Sequence, residues 1–469
     1  MSRPRTLGRV WLATGALAAG AIAGLGGVDG RAGMIASAAA LTGLAARRRP
    51  LVRLVATAGA AFGLGTISGA VAVAGGSVVG DMASGIPHCD ARGHIVESAG
   101  GLGTLVALDE LRCDGRPTIR DAGTVVGDIP RADPGARVRI TGWLIALGDE
   151  SFDQARRRLG AGAAFEPQEV EVGPIDGLLN RAAARFRGSL RAATSPLDIE
   201  NAVLARGLSI GDTSDMPPAL ESDLRRAGLS HLVAVSGTNV TIVLAAVMCG
   251  IRGLGRASRV AAGLCALGFY VLIVGPEPSV LRAAVMGGIG LAAIAYGRRT
   301  EPLNALGLAL MTVVAIRPGL ALSVGLHLSA AATAGIVLWT DRLVRALATL
   351  PPLLALPLAV TLAAQIAVAP LLVLVFGQVS LAAPLANLLA APAVAPATMF
   401  ALSAGAVGLV APTMAIPLAR LAGLFSGWIA TVGGRLGEQP WAAIDVPRTW
   451  GWVLAAFVIA VVGSSVRRA

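Results

Sequence analysis

Long apolar segments alternate with short arginine-bearing loops along most of the chain. Residues 303–316 and 453–462 carry no charge, and several other runs approach the roughly 20 apolar residues with which a helix crosses a bilayer. A helix satisfies its own backbone polar groups in hydrocarbon, so helices are the expected form. About 10–12 transmembrane helices are predicted, with candidates at residues 10–28, 32–46, 54–80, 229–251, 260–274, 279–296, 302–316, 320–340, 353–376, 381–410, 414–433 and 450–465.

The arginines between these segments predict how the helices cross the bilayer. Basic residues of short loops stay on the cytoplasmic side. Most arginines of the short loops fall on one side of the predicted topology, and the opposite side holds only Arg31, Arg317, Arg435 and Arg448. Both termini of this multi-pass chain are therefore predicted to be cytoplasmic, in the cytoplasmic (inner) membrane, and residues 81–228 extracytoplasmic.

Composition agrees with a lipid environment and adds little about partners. Hydrophobic residues make up 55% of the chain and charged residues 14%. The net charge of +11 comes from arginine alone, because no lysine occurs. A chain rich in arginine and alanine without lysine is typical of a GC-rich coding bias, so the charge alone is weak support for a nucleic-acid partner.

The predicted external insert has a β part followed by a helical part. From residue 86 to 172, short β-type runs are broken by Gly, Pro and Asp, and residues 137–144 begin with polar and apolar positions in alternation. This pattern predicts a small β-barrel. Next comes an apolar stripe at helical spacing, which predicts a helix along the outer membrane surface and consists of Leu179, Ala182, Ala183, Phe186 and Leu190.

The four cysteines form two pairs with different expected roles. Cys89 and Cys113 lie in the β part, where an oxidising compartment would join them in a disulfide. Cys249 and Cys265 lie in apolar helices and are predicted to be small core residues.

Two motifs that mix polar and apolar residues stand out near the middle of the chain. Residues 204–212 read Leu-Ala-Arg-Gly-Leu-Ser-Ile-Gly-Asp, and residues 228–240 read Gly-Leu-Ser-His-Leu-Val-Ala-Val-Ser-Gly-Thr-Asn-Val. Further short motifs follow in order at 278–284, 297–305, 376–377 and 384–392. In order and spacing these pieces, over about residues 170–440, resemble the ComEC competence proteins, the DNA uptake channels of naturally transformable bacteria.

This resemblance implies a fold and a function. The β insert is similar to the OB-type domain that precedes the channel in that family. The expected fold is a polytopic α-helical membrane protein with an extracytoplasmic OB-like small β-barrel insert. Its domains are N-terminal transmembrane helices (1–80), the OB-like β domain (81–175), amphipathic and linker helices (176–228) and the competence-type channel domain (229–469).

The implied function is transport of single-stranded DNA across the cytoplasmic membrane during DNA uptake for natural transformation. The resemblance also implies two partners besides the DNA and the lipid bilayer. These are an external DNA receptor of the ComEA type and a cytoplasmic helicase-like ATPase.

The chain departs from the family pattern at two places. Residues 326–329 read Leu-His-Leu-Ser, where the family usually has Phe-Gln-Leu-Ser. The C-terminal metallo-β-lactamase-like domain that many members carry is expected to be absent, since the four histidines form no His-x-His-x-Asp-His cluster. Without such a cluster or a Walker loop, we expect neither an enzyme nor a cofactor, and strand degradation would fall to a separate nuclease.

A polyanion crossing a bilayer needs a wet path with polar groups and positive potential. The candidates for this channel path are Ser236, Gly237, Thr238, Asn239, Arg282, His327 and Asn387. Other interpretations stay open for them. The motif around Gly237 would also suit a close helix contact through small residues, Arg282 could reach the outer headgroups, and Asn387 could join helices.

Candidate DNA-binding residues in the β insert are Arg92, Arg137 and Arg139, with Trp143 or Phe152 as a stacking platform. Neighbouring acidic residues dilute this charge, so a solvated arginine face is the alternative. Two other functions also remain open for the whole chain: a permease for a smaller anionic solute and a non-transporting membrane protein of the same fold.

Overall fold

The computed structural model describes residues 83, 85–98, 103–129, 133–148, 161–233, 235–317, 320–321, 323–454 and 458. The predicted spans at 10–28, 32–46 and 54–80 lie outside this part, as does most of the span at 450–465. Two compact units divide the chain. The first comprises residues 1–184 and 307–323, and the second comprises residues 185–306 and 324–469.

The first unit contains a closed barrel of five strands in the order β1-β2-β3-β5-β4. Strands β3 and β5 pair in parallel and the other neighbours are antiparallel. The strands are β1 (His88–Ser98), β2 (Thr104–Cys113), β3 (Ile119–Gly127), β4 (Ala136–Ala146) and β5 (Ala163–Ile175). The predicted small β-barrel is therefore present.

Alternating side chains fill the interior of this barrel. Along β4, Val138, Ile140, Gly142 and Leu144 are buried, while the residues that alternate with them are exposed or part-buried. Two glycines allow the strands to approach closely. A Cβ at Gly93 would stand 2.1 Å from the carbonyl oxygen of Ala107, and one at Gly142 would stand 2.2 Å from that of Glu166.

Cys89 and Cys113 face each other across β1 and β2. Their Cα atoms are 4.0 Å apart, both side chains are buried in the barrel core, and their sulfur atoms are bonded. The strand register therefore brings the predicted pair together.

The remaining described elements are helices, with one small sheet. The helices are α1 (Leu178–Thr194), α2 (Ile199–Ile210), α3 (Pro218–Arg226), α4 (Ser230–Val233), α5 (Gly237–Gly250), α6 (Arg256–Val274), α7 (Pro278–Ala295), α8 (Pro302–Ile316), α9 (Val324–Ala346), α10 (Pro352–Phe376), α11 (Ala383–Gly408) and α12 (Pro412–Gly437). Strands β6 (Gln378–Ser380) and β7 (Ala443–Asp445) pair antiparallel.

Five of these helices are long and apolar enough to cross a membrane, namely α6, α7, α10, α11 and α12. Helices α5 and α8 are apolar but shorter. The described residues thus form a helical protein with several candidate membrane spans, as the apolar pattern predicts. The span predicted as continuous over residues 229–251 is two helices, because α4 ends at Val233 and α5 begins at Gly237.

The packing of two predicted features differs from the expectation. In the apolar stripe of α1, Ala183, Phe186 and Leu190 are buried in protein whereas Leu179 is exposed, and a Cβ at Gly405 of α11 would stand 2.8 Å from the Phe186 ring. Small residues on α11 admit that ring, which the pattern of α1 alone does not reveal. The free cysteines Cys249 and Cys265 are exposed on their helices instead of filling a core.

Candidate functional site

The non-helical segment between α4 and α5 is stabilised by a hydrogen bond from a neighbouring helix. Ser236, the residue before α5, has an extended backbone and makes no side-chain capping hydrogen bond. The hydroxyl of Ser279 on α7 donates to the carbonyl of Val235 across 2.7 Å. That carbonyl is therefore satisfied outside a helix, which is how an interrupted helix persists in a membrane protein.

Asn239 joins the two sequence motifs. Its side-chain nitrogen donates to the carbonyl of Leu208 across 2.8 Å, and the hydroxyl of Tyr270 donates to that of Ser209 across 2.9 Å. These carbonyls lie in the last turn of α2, which ends at Gly211 in the left-handed conformation. Asn239 is only 1% exposed. Asn239 therefore holds α5 against α2, which agrees with the close helix contact that was the alternative for this motif.

Arg282 lies in the second turn of α7 and is 5% exposed. Its Nε donates to the hydroxyl of Ser329 on α9 across 3.1 Å, and its Nη1 lies 3.2 Å from the sulfur of Met286. Among the residues that the structure describes, no carboxylate forms an ion pair with it. Arg282 is buried among α5, α7 and α9, so an extension to the outer headgroups is not its role.

The third guanidinium nitrogen points at the start of α5. A Cβ on Gly237 would stand 2.9 Å from Nη2 of Arg282 and 3.4 Å from the Cβ of Ala283. Glycine therefore lets the guanidinium approach the first turn of this helix closely. Ser236 and Gly237 are half-buried and Thr238 is exposed, so the end of α5 is open on one side.

Arg282, Ser329 and the first turn of α5 form a group that we call the Arg282 cluster. Two other predicted path residues lie apart from it. His327 is exposed, and the residue of its motif that contacts Arg282 is Ser329. Asn387 donates to the carbonyl of Ala383 across 2.8 Å, within its own helix. The Leu-His-Leu-Ser motif could have indicated that Ser329 faces the protein interior. Ser329 lies three residues after Leu326, hence on the same side of α9, and Leu326 is buried.

A group of ion pairs that the sequence patterns did not predict closes the loop between α2 and α3. Arg206 is buried and pairs with Asp215 at 3.0 Å, and Arg191 pairs with Asp212 at 2.8 Å. Burial acts to raise the pKa of Asp212, but hydrogen bonds from Ser214 and Arg191 and the positive charges nearby outweigh it and lower that pKa. The motif at 204–212 contained this signal in its arginine and its aspartate.

Each candidate DNA-binding arginine of the barrel has an acidic partner. Arg92 lies 3.7 Å from Glu110, Arg137 pairs with Asp176, and Arg139 donates through two nitrogens to Asp90 at 3.1 and 2.8 Å. The hydrogen bond from Arg139 lowers the pKa of Asp90. These pairs favour the solvated arginine face.

The aromatic candidates add one exposed ring. Trp143 is 39% exposed and meets His88 edge to face, with 5.1 Å between ring centroids. Phe152 lies outside the described residues. Within the described part of the chain, no three His, Cys, Asp or Glu residues lie together as a metal site.

The helices and the buried polar cluster define the class: a multi-pass helical membrane protein with an interrupted helix beside a buried cation. The chain belongs to the competence protein family, whose model matches residues 208–468, more than half of its length. The resemblance found in the sequence is thereby confirmed.

Three curated proteins show the similarity in detail. The chain is 26% identical over 343 residues to "Uncharacterized protein YcaI" of Escherichia coli (strain K12), covering 65% of this chain and 44% of that protein. It is 28% identical over 191 residues to ComE operon protein 3 of Bacillus subtilis (strain 168), covering 40% and 24%. It is 33% identical over 147 residues to competence protein ComA of Neisseria gonorrhoeae, covering 29% and 21%.

The chain therefore matches less than half the length of these relatives. No solved structure matches it.

Proposed function

We propose that this protein passes single-stranded DNA through the cytoplasmic membrane during DNA uptake for natural transformation. The carrying observation is Arg282, a buried cation with no acidic partner among the described residues, beside the start of an interrupted helix. Ionisable residues at membrane depth are costly and mark substrate paths. Family membership and the names of two relatives, ComE operon protein 3 and competence protein ComA, support DNA uptake as the process.

Contacts between loops support the predicted orientation. The β6 and β7 segments pair, the hydroxyl of Ser380 donates to the carbonyl of Arg226 across 2.7 Å, and Arg226 donates to that of Gln439 across 3.0 Å. All of these segments fall on the extracytoplasmic side of the predicted topology. The first turns of α5, α7 and α9 belong to that side too, so the Arg282 cluster would meet DNA at the outer end of its path.

The other parts of the protein and its partners have separate tasks in this uptake. The barrel serves as an extracytoplasmic domain of the OB type; its five strands support the type, and the distribution of arginines in the short loops supports the side. Both termini are cytoplasmic. An external DNA receptor of the ComEA type delivers the strand, a cytoplasmic helicase-like ATPase draws it inward, and a separate nuclease degrades its complement.

A deletion strain of a competent source organism tests the proposal. Transformation frequency should fall by several orders of magnitude in the deletion strain and return with the wild-type chain. Labelled DNA should still bind at the cell surface but should not become resistant to added nuclease. Unchanged transformation in the deletion strain would refute the proposal.

A permease for a smaller anion is the second candidate, because a single buried guanidinium can hold one oxyanion as well as one phosphate of a strand. A screen of small-anion uptake in the same two strains separates the candidates.

A further inference from the structure

The guanidinium of Arg282 has donors that the described protein does not use. Its Nε has an oxygen acceptor in Ser329, and its Nη1 faces only the thioether of Met286, which is a weak acceptor. Its Nη2 makes no hydrogen bond within the described part of the chain. A side chain that is 5% exposed normally satisfies its polar groups, so this pattern indicates a missing partner.

A second positive element lies next to these donors. The first N–H groups of a helix lack partners within the helix and carry the positive end of its dipole. Helix α5 is 14 residues long, and the side chain of Ser236 does not cap it. Because Gly237 has no side chain, Nη2 can lie 2.9 Å from the position that a Cβ of residue 237 would occupy.

Two positive elements this close would repel each other unless an anion lies between them. A bound oxyanion could accept hydrogen bonds from Nη2 and from the N–H groups of Gly237 and Thr238, since the N–H of Asn239 already donates to the carbonyl of Ser236 across 3.1 Å. The side of that turn carrying Thr238 is open. Ser329 holds the guanidinium in place through Nε, which leaves the outer nitrogens for the ligand.

We infer that Arg282 and the first turn of α5 form a binding site for one phosphate-type oxyanion. The ligand's class deepens the proposed function, since each link of a DNA strand carries such a group. An inorganic phosphate and a phospholipid headgroup carry the same chemistry. The site holds a single phosphate, so a strand would step through it one link at a time.

Equilibrium binding to the purified full-length chain in a phosphate-free, non-ionic sugar detergent tests the site without requiring transport. Inorganic phosphate is the first probe, titrated by calorimetry and by the rise of the unfolding temperature that a ligand of the folded state causes. A fluorescent 12-nucleotide single strand is the second probe. Competition by a water-soluble short-chain phosphatidylcholine is the third.

Three variants are compared with the wild type. Arg282→Gln removes the charge, and Gly237→Leu keeps the charge but fills the space beside Nη2. Arg299→Gln removes an equal charge from an exposed position and is the matched control. Phosphate affinity should fall roughly 10- to 100-fold in the first two variants and stay within about twofold of wild type in the control.

The outcomes separate the site from the proposed function. Equal phosphate affinity in wild type, Arg282→Gln and Gly237→Leu overturns the site, whatever happens to DNA import. If Arg282→Gln does not fold, the Gly237→Leu result decides the question alone. Phosphate binding that both variants lose, in a chain that imports no DNA, supports the site and refutes the DNA function. Displacement of phosphate by the phospholipid but not by the single strand supports the site and assigns it to a headgroup.

Discussion

Nη2 of Arg282 and the missing side chain of Gly237 occupy one space, since a Cβ on Gly237 would stand 2.9 Å from that nitrogen. The two residues are 45 positions apart on different helices, yet the size of one limits the position of the other. Atoms other than hydrogen rarely approach a Cβ so closely, so any larger residue at 237 must displace the guanidinium.

Gly237→Leu and Arg282→Gln should strongly reduce DNA import while membrane abundance and surface DNA binding stay normal. Leucine would fill the space beside Nη2, and glutamine cannot replace the charged fork of arginine. Nuclease-resistant labelled DNA measures import, and immunoblots of membranes measure abundance. Gly290→Leu is the matched control, because a Cβ at Gly290 of α7 meets nothing within 4 Å among the described residues. Loss of both variants from the membrane would make these residues packing elements, and normal import in both would place the path elsewhere.

The Cys89–Cys113 disulfide should stabilise the full-length protein by roughly 3 kcal/mol. It joins two residues 24 positions apart and so closes a loop that restricts the unfolded chain. Replacing both cysteines with alanine should lower the unfolding temperature and expose the barrel to protease. Replacing Cys249 and Cys265, which are free, should do neither. Mass spectrometry without reduction provides a direct check: two alkylatable thiols at positions 89 and 113 in protein from native membranes would contradict the prediction and its extracytoplasmic setting.

Asp212 should contribute a pH-dependent part of the stability. Its pKa is lowered in the folded protein, so its contribution is present above the unfolded value near 4 and is lost as the pH falls through the lower folded value. At pH 7 the free energy of unfolding of the wild type should exceed that of Asp212→Asn by roughly 1–2 kcal/mol. This figure is reduced for the partial exposure of Arg191, which weakens the ion pair. The difference should shrink below about pH 4 in thermal unfolding of the detergent-solubilised chain. A difference that is the same at pH 3 and pH 7 would contradict this assignment.

The barrel arginines should matter little for DNA capture. Arg92, Arg137 and Arg139 each face a carboxylate, so replacing all three with glutamine removes charges that are already largely balanced. Surface DNA retention and its salt dependence should change by less than about twofold, since few counterions are released at such a face. A reduction of tenfold or more would restore the barrel as a strand-binding domain.

The purified 469-residue chain should hydrolyse neither DNA nor ATP, since its sequence contains neither the histidine cluster of a metal nuclease nor a Walker loop. Labelled DNA and ATP should survive incubation with Mg²⁺, Mn²⁺ or Zn²⁺. Metal-dependent loss of either substrate that disappears on substituting a residue of this chain would overturn the prediction.

Local patterns were enough to predict most elements. Apolar runs predicted α6, α7, α10, α11 and α12 to within a few residues, because hydrocarbon selects helices by length and composition. Alternation and turn residues predicted a barrel, because a strand with one buried face has a period of two. The motifs identified the family, and Gly237 and Arg282 were recognised as exceptional because glycine and charge interrupt apolar segments there.

Contacts between distant segments decided the rest. The sequence left two roles open for Arg282, a contact in the channel path or an extension to the outer headgroups. The choice depended on Ser329, which is 47 residues away, and on the start of α5. The sequence left the arginines of β4 open to DNA contact or to a solvated face, and the register then placed carboxylates opposite or diagonal to them. Periodicity depends on neighbours within a few positions of one element. The partner of a charge depends on which elements pack together, and packing brings residues into contact without regard to their separation along the chain.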